Sequence, residues 1–280
     1  MKKIGFVDFY ISEWHANNYP AWIKSACEDL GVDYKVAYAW AEQDISPIDG
    51  RSTDEWCKEF GAIKCDTLDE LCAKSDVILV LSPSNPEKHL NYAKTVLKYG
   101  KRTYIDKTFA PNLDQAKQIF DIANEYKTPF FSTSALRYAS ELDSLDNANE
   151  IIVSGSGGSV DEYIIHQIEM VVKKLGVGAT GVTCKKVGRE YCFFVDYADN
   201  RSALMNYGNY PFFAFLRNDE KCVKSNINSD FFKLLIKDII NFYESGELSF
   251  ASSETLEAIA IRDAVLKSVE NQGVTIKVGE

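Results

Sequence analysis

The sequence predicts an α/β chain. A doubly wound parallel sheet covers residues 1–138, and an α+β domain built on an open, mainly antiparallel sheet covers 139–280. Two observations predict this. Strand-like and helix-like segments alternate from residue 3 to about residue 135, the rhythm of a parallel sheet flanked by helices. After about residue 140 that rhythm stops, and four short strand-like segments follow in succession between longer helices. The length of 280 residues is ample for two domains.

Taken in order, residues 3–9 form an apolar run that reads as the first strand. Trp22, Ile23, Ala26, Cys27 and Leu30 recur at helical spacing until Gly31, and Pro20 suits the first turn of that helix. This leaves a connection of about ten residues, Tyr10 to Tyr19, longer than a tight turn. "VDYKVAYAW" (32–40) alternates as a second strand, and short helices follow at 53–60 and 67–74. "DVILVLSP" (76–83) is apolar on both faces, as a strand covered on both sides must be. Then come a helix from His89 to Tyr99 stopped by Gly100, the strand "KRTYID", a helix over 113–126 and the strand "PFFSTSA".

In the second half, "SGSGGS" (154–159) reads as a turn, with a helix from Asp161 to Leu175 after it. Strands are expected at 180–187, 190–197, 202–208 and 211–217, helices at 230–246 and 253–273, and a last strand at "VTIKV". The Tyr/Phe cluster "NYGNYPFFAF" (206–215) is read as core and interface packing.

Ligands of a doubly wound sheet bind beyond the carboxyl ends of its strands. Those ends are Asp8-Phe9, Trp40, Ser82-Pro83 and Asp106-Lys107. A net charge of −10 argues against nucleic-acid backbones and anionic membranes as partners. No apolar run approaches the roughly 20 residues of a spanning helix, and the N-terminus reads as a strand. Seven scattered cysteines without a Cys-x-x-Cys pair read as reduced thiols of a cytoplasmic protein. With three histidines, at 15, 89 and 166, no metal site is expected.

The stretch "DVILVLSPSNPEKHLNYAKTVLKYGKRTYIDKTFAPNLDQAKQIFDIA" resembles the Gfo/Idh/MocA family of oxidoreductases, which includes glucose–fructose oxidoreductase and inositol dehydrogenase. The matching residues are Ser82-Pro83, His89, Gly100-Lys101 and Asp106-Lys107-Thr108. "EYIIHQIEMVVKKLG" is similar to that family's D-x-x-x-H-x-x-D helix, with Glu162, His166 and Glu169 in those places. "ETLEAIAIRDAVLKSVENQGVTIKV" is similar to its C-terminal helix and strand. The resemblance implies a Rossmann domain binding NAD or NADP, a C-terminal α/β domain with an open sheet, and hydride transfer at a hydroxyl-bearing carbon, commonly on a sugar or cyclitol. It implies that Lys107 is catalytic. It also implies a homo-oligomer, a dimer or tetramer, for which the apolar strands after residue 180 speak as well.

The chemistry suits these residues. An ammonium stabilises a developing alkoxide, and an imidazole titrates near neutral pH, so Lys107 and His166 form a candidate proton-handling pair. Glu162, His166, Glu169 and Lys173 share one polar stripe of their helix, beside an apolar stripe of Ile164, Ile165, Ile168, Val171, Val172 and Leu175. Glu162 can orient His166 from one turn away, which adds it to the catalytic candidates. Arg137, after the last strand of the first half, is expected to face substrate, and His89 to secure the start of its helix.

Three departures separate this chain from the pattern. No glycine lies between Gly5 and Gly31, where a phosphate would press against backbone, so the donors there would have to come from Ser12, His15, Asn17, Asn18 and the helix N-terminus. Trp40 stands where an acidic residue holds the ribose, with Glu42 and Asp44 further on. Asp-Lys-Thr replaces Glu-Lys-Pro. Two readings therefore stay open: an NAD(P)-dependent oxidoreductase acting on a small molecule, or a catalytically silent member that binds a small ligand or regulates.

Overall fold

The computed structural model describes residues 1–280. The chain divides into two units, Met1–Thr133 with Lys233–Ser249, and Ser134–Phe232 with Phe250–Glu280. The division differs from a single cut at residue 138. The segment Lys233–Ser249 is distant in sequence from the first unit yet clusters with it.

The first unit is built on strands β1 (Lys2–Asp8), β2 (Tyr34–Ala41), β3 (Ile63–Lys64), β4 (Val77–Val80), β5 (Thr103–Ile105) and β6 (Phe130–Phe131), all parallel in the order β3-β2-β1-β4-β5-β6. This is the Rossmann arrangement, whose order reverses between β1 and β4. Ile4, Phe6, Val7, Ile78, Leu79, Val80 and Leu81 are all fully buried, as expected for central strands covered on both faces. Helices α2 (Thr53–Phe60), α3 (Leu68–Lys74) and α5 (Leu113–Tyr126) begin where Ser52, Thr67 and Asn112 accept a backbone N–H from three residues on. Helix α4 (His89–Val96) continues as a 3-10 turn to Gly100, which takes the left-handed φ of 64° that glycine adopts without penalty.

Helix α1 is the main departure from expectation. It spans Trp14–Leu30, so it starts well before Pro20, which lies inside it. The connection from β1 is correspondingly short. Its end at Gly31 is as the sequence implies.

The second unit holds β7 (Glu150–Gly155), α6 (Val160–Leu175), β8 (Ala179–Val187), β9 (Glu190–Tyr197), β10 (Ser202–Tyr207), β11 (Phe213–Arg217), β12 (Cys222–Asn226), α8 (Ser252–Glu270) and β13 (Thr275–Lys277). The sheet order is β12-β11-β7-β10-β9-β8-β13. All pairs are antiparallel except β7 with β10. β7 and β12 were not expected. β7 takes in Ser154 and Gly155, so the "SGSGGS" segment is partly strand, and Ser159 at its end caps α6. Strand residues alternate between buried (Ile151, Val153, Phe193, Val195, Met205, Leu216) and more accessible positions, the mark of a sheet covered on one face. Helix α7 (Phe231–Ser245) runs largely within Lys233–Ser249 and thus with the first unit. There Tyr243 donates to the Ile78 carbonyl of β4 at 2.7 Å, and Arg102 donates to the Tyr243 carbonyl at 2.5 Å and the Glu244 carbonyl at 2.9 Å. No helix is long and apolar enough to cross a membrane.

Candidate functional site

In the first unit, adjacent strands β1, β4 and β5 end in a cluster of buried polar groups at the point where the strand order reverses. Asp8, the last residue of β1, accepts from the backbone N–H of Phe9 at 2.7 Å and of Ser82 at 3.1 Å, and from the Ser82 hydroxyl at 3.3 Å, all at Oδ1. Its other oxygen, Oδ2, is buried without a partner. Ser82 holds a left-handed φ of 57°, a strained setting for a residue with a Cβ. Beyond β5, Asp106 pairs with His15 Nδ1 and accepts from Tyr104 Oη at 3.1 Å and from the Lys107 N–H at 2.8 Å. Lys107 is 7% exposed, and its ammonium donates to the Pro83 carbonyl at 3.2 Å. The Lys107–Thr108 peptide is cis.

A third carboxylate belongs to this cluster. Glu13 precedes α1, and its two oxygens accept from the backbone N–H groups of His15 at 2.8 Å and of Ala16. Burial, and then the charge of nearby Glu13, push the Asp8 carboxyl well above its ordinary pKa, although the Phe9 and Ser82 hydrogen bonds oppose this. Burial likewise raises Glu13, against the pull of His15 and the two backbone N–H groups. Asp106 goes the other way. Burial alone would raise it, but the His15 charge and hydrogen bond, with Lys107 beside it, hold it below the usual range.

The second unit has its own cluster. His166, on α6, lies 2.6 Å from Ser134 Oγ through Nδ1, with its ring edge toward Phe212. Glu169, one turn on, is buried and pairs with Arg137 at 3.1 Å. Arg137 also pairs with Glu254 of α8 and lies 3.9 Å above the Phe250 ring. Burial opposes the guanidinium charge, but the two carboxylates more than restore it, so its pKa is raised. The polar stripe expected on α6 thus divides, with Glu169 committed inward and Glu162 part-exposed in the first turn beside the capping Ser159.

The Gfo/Idh/MocA family model, described as an oxidoreductase family with an NAD-binding Rossmann fold, matches residues 42–134. The match covers about a third of the chain, most of it in the first unit. Among curated proteins, the uncharacterized oxidoreductase YhhX of Escherichia coli (strain K12) is 41% identical over 56 residues, 20% of this chain and 16% of YhhX, so the chain matches only a small part of that relative's length. Among solved structures, the scyllo-inositol dehydrogenase of Lactobacillus casei with bound NAD(H) and scyllo-inositol has a TM-score of 0.77 at 13% identity, covering 100% of this chain and 99% of that one. The UDP-N-acetylglucosamine 3-dehydrogenase GnnA of Acidithiobacillus ferrooxidans has a TM-score of 0.80 at 11% identity, covering 96% and 98%. At such identities the likeness is one of fold.

Doubly wound sheets of this strand order bind dinucleotides at their carboxyl ends, with the pyrophosphate on free N–H groups at the start of the first helix. In this chain two of those groups, the N–H of His15 and of Ala16, are taken by Glu13, and the side chains expected to supply donors are engaged elsewhere. Ser12 donates to Asp49 at 2.7 Å, His15 holds Asp106, Asn17 accepts from the Trp56 indole at 2.8 Å, and Asn18 donates to the Trp14 carbonyl at 2.7 Å. A pyrophosphate at this position would have to displace the Glu13 carboxylate. At the end of β2, Trp40 packs edge-on against Tyr92, while Glu42 accepts from Lys88 and Tyr92, and Asp44 from Lys64. Phe9 lies under the Lys88 ammonium, 4.5 Å from it.

Of the residues singled out from sequence, the structure gathers Asp8, His15, Ser82, Pro83, Asp106 and Lys107 into one place. Phe9, Ser12 and Trp40 border it through other partners. His166, Glu162 and Arg137 belong to the second unit. His89 does more than start a helix, since its two ring nitrogens lie 2.6 Å from the Leu81 carbonyl and 3.0 Å from the Phe109 carbonyl. Sequence reasoning missed Glu13, Tyr104 and Ser134. Glu13 was legible in principle as a polar residue just before a helix, but reading Pro20 as a first-turn residue hid it.

Proposed function

We propose that the chain is an NAD(P)-dependent oxidoreductase that interconverts a hydroxyl and a carbonyl on a sugar- or cyclitol-like small molecule. The observation that carries this is the buried Lys107 ammonium, set at the carboxyl end of β5 in a Rossmann sheet of this family. Its structural neighbours include a scyllo-inositol dehydrogenase and a UDP-N-acetylglucosamine 3-dehydrogenase, which supports the substrate class. A nicotinamide, when bound, supplies or accepts the hydride.

This chain's own residues handle the oxygen. The Lys107 ammonium has three donors, one of them on Pro83, and a substrate oxygen that receives another gains negative charge at lower cost. Asp106, kept ionised by His15 and Lys107, holds the backbone N–H of Lys107 and fixes where the ammonium begins. In the second unit, His166 is the proton-exchanging candidate, oriented by Ser134. The second sheet presents Ile152, Leu204, Phe213 and Phe215 on its more accessible face, which supports self-association. The unpaired cysteines suit a reducing, cytoplasmic setting.

The test is a screen of polyols and sugars for reduction of NAD⁺ or NADP⁺ followed at the nicotinamide absorbance band, with Lys107→Met and Lys107→Arg beside the wild type. Lys107→Met is expected to lose at least a hundredfold in kcat while remaining folded. Full turnover in Lys107→Met would remove the assignment.

A further inference from the structure

The start of α1 is where this chain differs most from the site its family implies. The backbone N–H groups of His15 and Ala16 end on the two oxygens of Glu13, a side chain that is 5% exposed. Glutamate is not among the preferred capping residues, and a serine in that place would satisfy a helix N-terminus without adding charge. At the end of β1 a second carboxylate, Asp8, leaves one oxygen buried and unpartnered. A third, Asp106, is balanced by His15 and Lys107. The place that would receive a dianionic pyrophosphate is therefore lined by carboxylates, and its strongest anion-binding groups already hold an anion.

We propose that the Glu13 carboxylate occupies the phosphate subsite of α1 and sets how tightly this chain binds a dinucleotide. The proposal rests on the dinucleotide reading above and deepens it. A pyrophosphate reaches the His15 and Ala16 N–H groups only by displacing Glu13, so the bound state loses two hydrogen bonds and gains a like-charge neighbour. A ligand without phosphate at this point carries no such penalty. Glu13 thus acts as a specificity determinant against phosphates, built from the chain itself, without touching the reacting atoms.

The experiment is isothermal titration of NADH and NADPH, with inorganic pyrophosphate as a second probe, into the wild type, Glu13→Ser and Glu13→Gln. Glu13→Ser keeps a capping oxygen and frees the site. It is expected to bind at least one of the two nicotinamides tenfold or more tighter than the wild type, and pyrophosphate more tightly too. Glu13→Gln retains the side chain without its charge and falls between the two. If Glu13→Ser does not fold, the sign of the Glu13→Gln change decides. Equal or weaker NADH and NADPH binding by the folded variants overturns the role of Glu13 alone. An absence of nicotinamide binding in all three proteins overturns the dinucleotide reading together with it.

Discussion

Replacing Arg137 by methionine is expected to destabilise the second unit strongly, and the structure says where the cost falls. Its guanidinium faces two carboxylates, Glu169 and Glu254, whose side chains are 5% and 19% exposed. Once the cation is gone, Glu254 can turn toward water, but Glu169 stays buried on α6 without its counter-ion. Removing one partner of a buried pair costs about 3–5 kcal/mol. For a folding unit of this size, each kcal/mol moves the midpoint by roughly 2–4 °C, which gives a fall of about 6–20 °C. Thermal unfolding followed by far-ultraviolet circular dichroism measures it. All four tryptophans, at 14, 22, 40 and 56, lie in the first unit, so their emission follows that unit separately. Arg137→Met/Glu169→Met should lose less than the two single variants added together, with a coupling of about 0.5–3 kcal/mol. A midpoint change under about 2 °C in Arg137→Met, with substrate binding lost, would refute this reasoning and return Arg137 to the substrate-facing role expected from sequence.

Two further outcomes follow from the first unit. Gly5 of β1 leaves no room for a side chain, since an added Cβ would lie 2.6 Å from Leu71 Cδ2 and closer still to Ser75 Oγ. Gly5→Ala should cost about 1–3 kcal/mol by forcing α3 away from the sheet, and a urea midpoint equal to that of the wild type would contradict the packing. Asp8, whose carboxyl is raised in the folded state, favours folding below its unfolded pKa and loses that contribution as pH rises toward the folded value. Asp8→Asn mimics the protonated form, so its midpoint relative to the wild type should climb as pH rises from about 4. A difference that stays flat or falls across that range would show that Asp8 is not held up by burial.

The alternation of strands and helices through residue 135, the buried run 76–83, the stops at Gly31 and Gly100, and the motif residues around Lys107 are all legible in the chain read residue by residue. These are local signals: apolar periodicity, capping chemistry and short motifs are written in neighbouring residues, and they survive without knowledge of any partner. The Lys107, Asp106 and Ser82 positions followed from one general rule, that sites of such sheets lie at strand carboxyl ends. Long-range packing set the rest. β7, short and bordered by glycine, became a strand because β10 and β11 pair with it on either side. Helix α7 joined the first unit through contacts such as Tyr243 with Ile78, residues far apart in the chain. Arg137 pairs with two carboxylates, one of them more than a hundred residues away. Glu13 is the sharpest case. Its sequence neighbours mark it only as a polar residue before a helix. Folding of α1 from Trp14 turns two N–H groups onto its carboxylate, and the converging ends of β1 and β5 set Asp8 and Asp106 nearby. Which charges share a buried site is set by long-range packing, and no local pattern encodes it.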